Sequence, residues 1–112
     1  MAYSETLAAR VREALSHSTG ISERRMFGGL AFLKHGHMFV GINGNELMAR
    51  VGKASHAEAL ARPHVREMDF TGRPMVGYVF VGAKGLDAPG DLRYWLRHCE
   101  QFVMSLPPKV QA

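Results

Sequence analysis

An α+β domain built on an antiparallel sheet is what this sequence predicts, and three observations predict it. Apolar residues recur at helical spacing near both ends of the chain. Leu7, Val11, Ala14 and Leu15 form one such set, and Leu92, Trp95, Leu96, Cys99, Phe102, Val103 and Leu106 form the other. Between them lie short runs rich in β-branched and aromatic residues, the composition of strands. The turn signals joining the early runs, His35-Gly36 and Asn43-Gly44-Asn45, are too short to connect anything but antiparallel neighbours.

Each element follows from local chemistry. Ser4 is placed to cap a first helix that ends near Gly20, with Arg10, Arg12 and Glu13 largely off its apolar face. Arg24 to Lys34 reads as the first strand, with Gly28-Gly29 in its middle. A glycine pair inside a strand signals a bulge, a bend or a close backbone approach. His37 to Asn43 is the second strand. Glu46 to Val51 is the third, with Leu47, Ala49 and Val51 on one side and Glu46, Met48 and Arg50 on the other. Ser55 with Glu58 is a capping-box pattern opening a short helix through Leu60, which Pro63 prevents from continuing.

Val65 to Phe70 reads as the fourth strand, Thr71-Gly72-Arg73-Pro74 as a turn, and Met75 to Val81 as the fifth. The fifth is apolar on both faces, as in a central strand or one covered by another subunit. Asp87 or Asp91 is expected to cap the last helix, which Pro107-Pro108 ends, leaving residues 107–112 as a mobile tail. The order is α-β-β-β-α-β-β-α within a single domain spanning 1–112.

Composition narrows the class. With 46% hydrophobic and 21% charged residues, the chain has the make-up of an ordinary globular domain rather than a disordered one. No apolar run has the length to cross a bilayer, and no membrane association is expected. The first residues lack the basic and apolar regions of an export signal, and the lone Cys99 suits a reducing compartment, so a cytoplasmic location is expected. A net charge of +4 and a pI near 9.6 raise the question of nucleic acid. Arg24-Arg25 is the only adjacent Lys/Arg pair, however, and acids are interleaved with the other bases. Incidental basicity and weak binding of nucleic acid or another anion both stay open.

No catalytic constellation assembles from the residue pattern. His35 and His37 flank a glycine but have no further ligands at a spacing that would close a metal shell, so no metal is expected. Cys99 lies on the apolar stripe of the last helix, where a free cysteine acts as a small hydrophobe. Its neighbour His98 projects about 100° away around the helix. Gly28-Gly29 is not followed by a helix in the manner of a phosphate-binding loop. The expectation is a protein without enzymatic activity and without a cofactor. An enzyme with no recognisable motif is the remote alternative.

Several motifs carry a family resemblance. They are Arg25-Met26-Phe27-Gly28-Gly29, the aromatic Phe39, the Leu47 to Arg50 strand and Gly72-Arg73-Pro74-Met75 before a Tyr-bearing strand. The Trp95 helix and Ser105-Leu106-Pro107-Pro108-Lys109 complete the set. In this order the chain resembles the TfoX N-terminal domain from end to end. The resemblance implies a two-layer α+β fold, an antiparallel five-stranded sheet with helices packed mainly on one face. Full-length members of that bacterial family carry a second, C-terminal domain and act as transcriptional co-regulators in competence development.

The resemblance therefore implies a regulatory, protein-interaction module whose partner is an unidentified protein, with the transcription machinery as one candidate. Met26, Phe27, Gly28 and Gly29 are then a structural motif. Arg24, Arg25 and Arg50 are the candidate partner-binding residues, placed to line the open side of the sheet. The chain is expected to be a monomer or a homodimer.

Overall fold

The computed structural model describes residues 3–26, 28–69 and 74–107. A helix α1 (Glu5–Ala14) is followed by β1 (Ile21–Met26), β2 (Gly29–Lys34), β3 (His37–Asn43) and β4 (Glu46–Arg50). A 3-10 turn (Lys53–Ser55) and the short α2 (His56–Leu60) then lead to β5 (Val65–Asp69) and β6 (Pro74–Val81). A second 3-10 turn (Ala83–Leu86) precedes α3 (Pro89–Met104). The six strands form one sheet in the order β1-β2-β3-β4-β6-β5, with every pairing antiparallel.

The expected five strands are six, and the order becomes α-β-β-β-β-α-β-β-α. The stretch expected as a single first strand, Arg24 to Lys34, is a hairpin in which Met26 faces Gly29 across a two-residue turn. Gly28 makes that turn at φ +74°, a left-handed conformation that an L side chain resists. Gly29 does something else: a Cβ there would press into the Ile42 carbonyl oxygen of β3, so the chain passes only without one. The close approach expected of the glycine pair is thus real at Gly29, while Gly28 supplies a reversal rather than a bulge. The bulge lies further on. Register shifts between Phe32 and Leu33, so Phe39 and Val40 both stand against Phe32, and both are fully buried.

The other turns follow their signals. His35 and Gly36 take φ values of +50° and +87°, and Gly44 takes +59°. Each pair closes a two-residue hairpin of the hand that matches strand twist. The helix caps agree less. Ser4 accepts a hydrogen bond from the Leu7 N–H at 3.1 Å, as expected. Ser55 makes no capping bond, and the N-cap of α3 is Ala88, with Pro89 in the first turn, rather than an aspartate. The expected turn at Thr71-Gly72-Arg73, the aromatic Phe27 and the tail beyond Pro107 lie outside the described residues.

Strand alternation sorts the sheet into two faces. Leu30, Ile42, Leu47 and Val81 lie in one cross-strand row, and all are buried in one cluster with Leu7 and Val11 of α1 and with Trp95, Leu96 and Cys99 of α3. Burying a side chain such as Ile42 or Leu47 completely contributes about 1.5–3 kcal/mol. The opposite face carries a smaller cluster of Met48, Met68 and Phe80. β6 contributes to both clusters because it lies between β4 and β5, which explains its apolar residues on either side. Lys34 is 5% exposed and ties β2 to α3, its Nζ donating to the Thr19 carbonyl at 2.6 Å and pairing with Glu100 at 2.9 Å.

The two glycines of the first hairpin should respond differently to substitution. Gly28→Ala is expected to cost about 1–2 kcal/mol, the strain of a left-handed residue with open space around it. Gly29→Val is expected to cost about 2–4 kcal/mol, because backbone of β3 has to move. Chemical denaturation of both variants checks this, and the reverse ranking would contradict the assigned roles.

Candidate functional site

The end of β4 is where the chain builds a cleft. Val51 and Gly52 both donate their backbone N–H groups to the Gly77 carbonyl, at 2.8 and 3.1 Å. Gly77 itself sits at φ +94°, so β6 bulges at this point. The Gly77 N–H donates to His56 Nδ1 at 2.9 Å, and His56 Nε2 lies 3.0 Å from Glu67. Because Nδ1 accepts, the ring proton must sit on Nε2 and point to Glu67, which makes His56 a neutral structural bracket between α2, β5 and β6. Gly52, at φ +89°, turns the chain away, and the Phe102 ring of α3 occupies the space that a side chain there would need.

The result is a cleft of about 400 Å³, within the size range of small-molecule sites. Arg50 is its central group. The guanidinium carbon lies 5.7 Å from the ring centroids of both Tyr78 and Phe102, and Nη1 donates to the Met38 carbonyl at 3.2 Å. Arg50 is half-buried and has no carboxylate partner among the described residues. Lys53, exposed on the 3-10 turn, adds a second positive charge, and Val76, 55% exposed, adds an apolar wall. Two cations, two aromatic faces and an aliphatic edge converge without a balancing acid among the lining residues.

The three arginines singled out in the sequence do not come together. Arg24 faces Ala31, which faces Gly41, then Met48, then Phe80. Residues paired across antiparallel strands share a face, so by register Arg24 falls on the Met48 face, as does the backbone position of Arg50, whose guanidinium nevertheless reaches Phe102 of α3. Arg25 faces Leu30 and so projects from the opposite side. Both are exposed on the edge strand β1, three strands from β4. The sequence pointed to Arg50 but not to Lys53, Tyr78 or Phe102. The available signals were the glycine that ends β4 and the tyrosine on β6.

The other candidate groups are held in structural roles. Cys99 is fully buried, and loss of hydration pushes its thiol well above the ordinary range. His37 Nε2 lies 3.0 Å from the Pro107 carbonyl. Among the described residues no group of three or more His, Cys, Asp or Glu side chains could hold a metal ion, and no helix is long and apolar enough to cross a membrane. Another, smaller cleft of about 330 Å³ lies along α3, between Arg93, Tyr94, Arg97 and His98. There Arg62 stacks on the Tyr94 ring at 4.0 Å.

Residues 13–103 fit the family model of the TfoX N-terminal domain. No curated protein and no solved structure matches the chain.

The state of Cys99 has a direct readout. Native protein at neutral pH is expected to leave a thiol-reactive chromogenic disulfide unreduced, and the same protein in denaturant to react with one equivalent. Rapid reaction of the folded chain would place the thiol in a solvent-accessible setting.

Proposed function

This chain belongs to the TfoX N-terminal domain family, and we propose that it is a non-catalytic regulatory module that works by docking a protein partner, in the manner of a transcriptional co-regulator of the bacterial cytoplasm. Family membership supports the regulatory class. The observation that carries docking is the disposition of Arg24 and Arg50 on the same face of the sheet, neither of them paired with a carboxylate among the described residues. By contrast, Arg12 and Arg66 are satisfied within the fold, each by a two-pronged pair, with Glu23 and Glu46 respectively. An arginine fork with unused donors seeks a carboxylate from outside, and its stem packs on apolar surface such as the half-buried Tyr78 provides. Arg25 is outside this surface.

The adjacent arginines make the test internally controlled. Arg24→Glu is expected to lower recovery of co-purifying protein about tenfold or more, the scale of a lost central ion pair. Arg25→Glu, the same charge change one residue away on the other face, should leave recovery within about twofold. Both variants should melt like the wild type, since both residues are exposed. Equal losses from both variants would indicate a general charge effect, and no loss from either would move the docking surface elsewhere.

A further inference from the structure

Beyond partner docking, with which it shares Arg50, we infer that the Arg50 cleft is a binding site for a small organic oxyanion, a carboxylate or phosphate carried on a flat apolar ring. The charge argument comes first. Arg50 is half-buried, and among the described residues one of its five N–H groups is committed, to the Met38 carbonyl. A planar fork held in place by a backbone acceptor and two rings is preorganised for a carboxylate or a phosphate, which it meets with parallel hydrogen bonds. Lys53 stands at the rim, where its ammonium reaches a second oxygen or a second charge without being buried.

Shape narrows the ligand. A free inorganic anion would use only the cationic part of a cleft of about 400 Å³. The rest of the lining is Tyr78, Phe102 and the exposed Val76, surfaces that gain from covering a flat apolar body. The walls are fixed rather than adaptable. Gly52 seats the Phe102 ring by lacking a side chain, and the Gly77 bulge is clamped by three backbone N–H bonds, two to its carbonyl and one from its own N–H to His56. Such a cleft recognises its ligand by two linked parts, an oxyanion on Arg50 and Lys53 and a ring against the aromatic walls. Neither part alone fills it.

The experiment is an NMR titration of the isotope-labelled full chain with phenyl phosphate and with benzoate. Inorganic phosphate and benzyl alcohol serve as the two half-ligands. Saturable amide shifts are expected at Gly52, Lys53, Gly77 and Tyr78, with at least one aryl anion binding about tenfold more tightly than either half-ligand. Which aryl anion wins identifies the oxyanion. Lys53→Glu, an exposed substitution that should not alter the melt, is expected to weaken that binding about tenfold. Arg50→Lys, which keeps the charge but loses the fork, should weaken it as well. The inference is overturned if the aryl anions bind no better than their halves, if the shifts centre on Arg93 and Arg97, or if Lys53→Glu leaves the affinity unchanged. Since Arg24 plays no part in this titration and Lys53 none in the docking surface, failure of one reading is distinguishable from failure of the other.

Discussion

The Gly77 carbonyl accepts two backbone N–H groups, from Val51 and from Gly52, and much of the architecture follows from that arrangement. A regular ladder allows one such bond per acceptor position, so the doubled contact forces a bulge and a left-handed glycine in β6. β4 therefore stops at Arg50, the chain turns at Gly52, and α2 is brought over the end of β6, where His56 accepts the Gly77 N–H. β6 can then lie between β4 and β5, completing the large cluster beneath the helices with Val79 and Val81 and the smaller one opposite with Phe80. The Arg50 cleft is the space this irregularity leaves open. A Cβ at position 77 would crowd the Gly52 carbonyl carbon and the Lys53 nitrogen, each at 3.3 Å, so fold and cleft share one steric requirement.

Charge in this protein divides into groups that the fold satisfies and groups that it leaves available. Arg12 holds the Glu23 carboxyl below the usual range, mainly by donating hydrogen bonds to it, and Glu46 raises Arg66 in the same way. Both pairs lie at the surface, where solvent screening leaves them little worth in stability. The Lys34–Glu100 pair differs in kind, since the lysine is almost fully buried. Desolvation offsets much of its Coulombic attraction, so the pair is better understood as fixing how α3 registers on β2 than as a source of net stability. Among the described residues the other arginines have no carboxylate partner: Arg10 is held by the Leu86 carbonyl and Arg62 by the Tyr94 ring, while Arg24, Arg25, Arg50, Arg93 and Arg97 are left to meet something else.

Most of the elements were legible in the sequence because hairpin turns and amphipathic helices are local. His35-Gly36 and Gly44-Asn45 reverse the chain where residues with access to positive φ stand between strand-like runs. The turn at Gly28 escaped the same reasoning because Met26 and Phe27 make the segment look like uninterrupted strand. That cost one strand in the count, and it masked the fact that Arg24 and Arg25 lie on an edge. Their opposite orientations follow from alternation alone once β1 is recognised. The cleft was legible only at Arg50. Phe102, Lys53 and Tyr78 come from three other segments, and what joins them is the Gly77 bulge, for which a glycine inside an apolar strand is an ambiguous sign.

The chemically versatile side chains among the described residues are largely taken up by structure. Burial keeps the Cys99 thiol protonated, so the thiolate that would act as a nucleophile is disfavoured. Both ring nitrogens of His56 are engaged, one accepting from backbone and one directed at Glu67, which leaves no lone pair to take a proton from a substrate. Lys34 is pinned between a carbonyl and a carboxylate. What the cleft presents to solvent is a delocalised cation, an ammonium and two rings, groups suited to recognising charge and shape. Recognition of a ligand there also has a structural route into the fold. Arg50 leads directly into the Gly77-bonded segment, and Phe102 belongs to α3, so an occupied cleft would bear on the sheet and on the helix together.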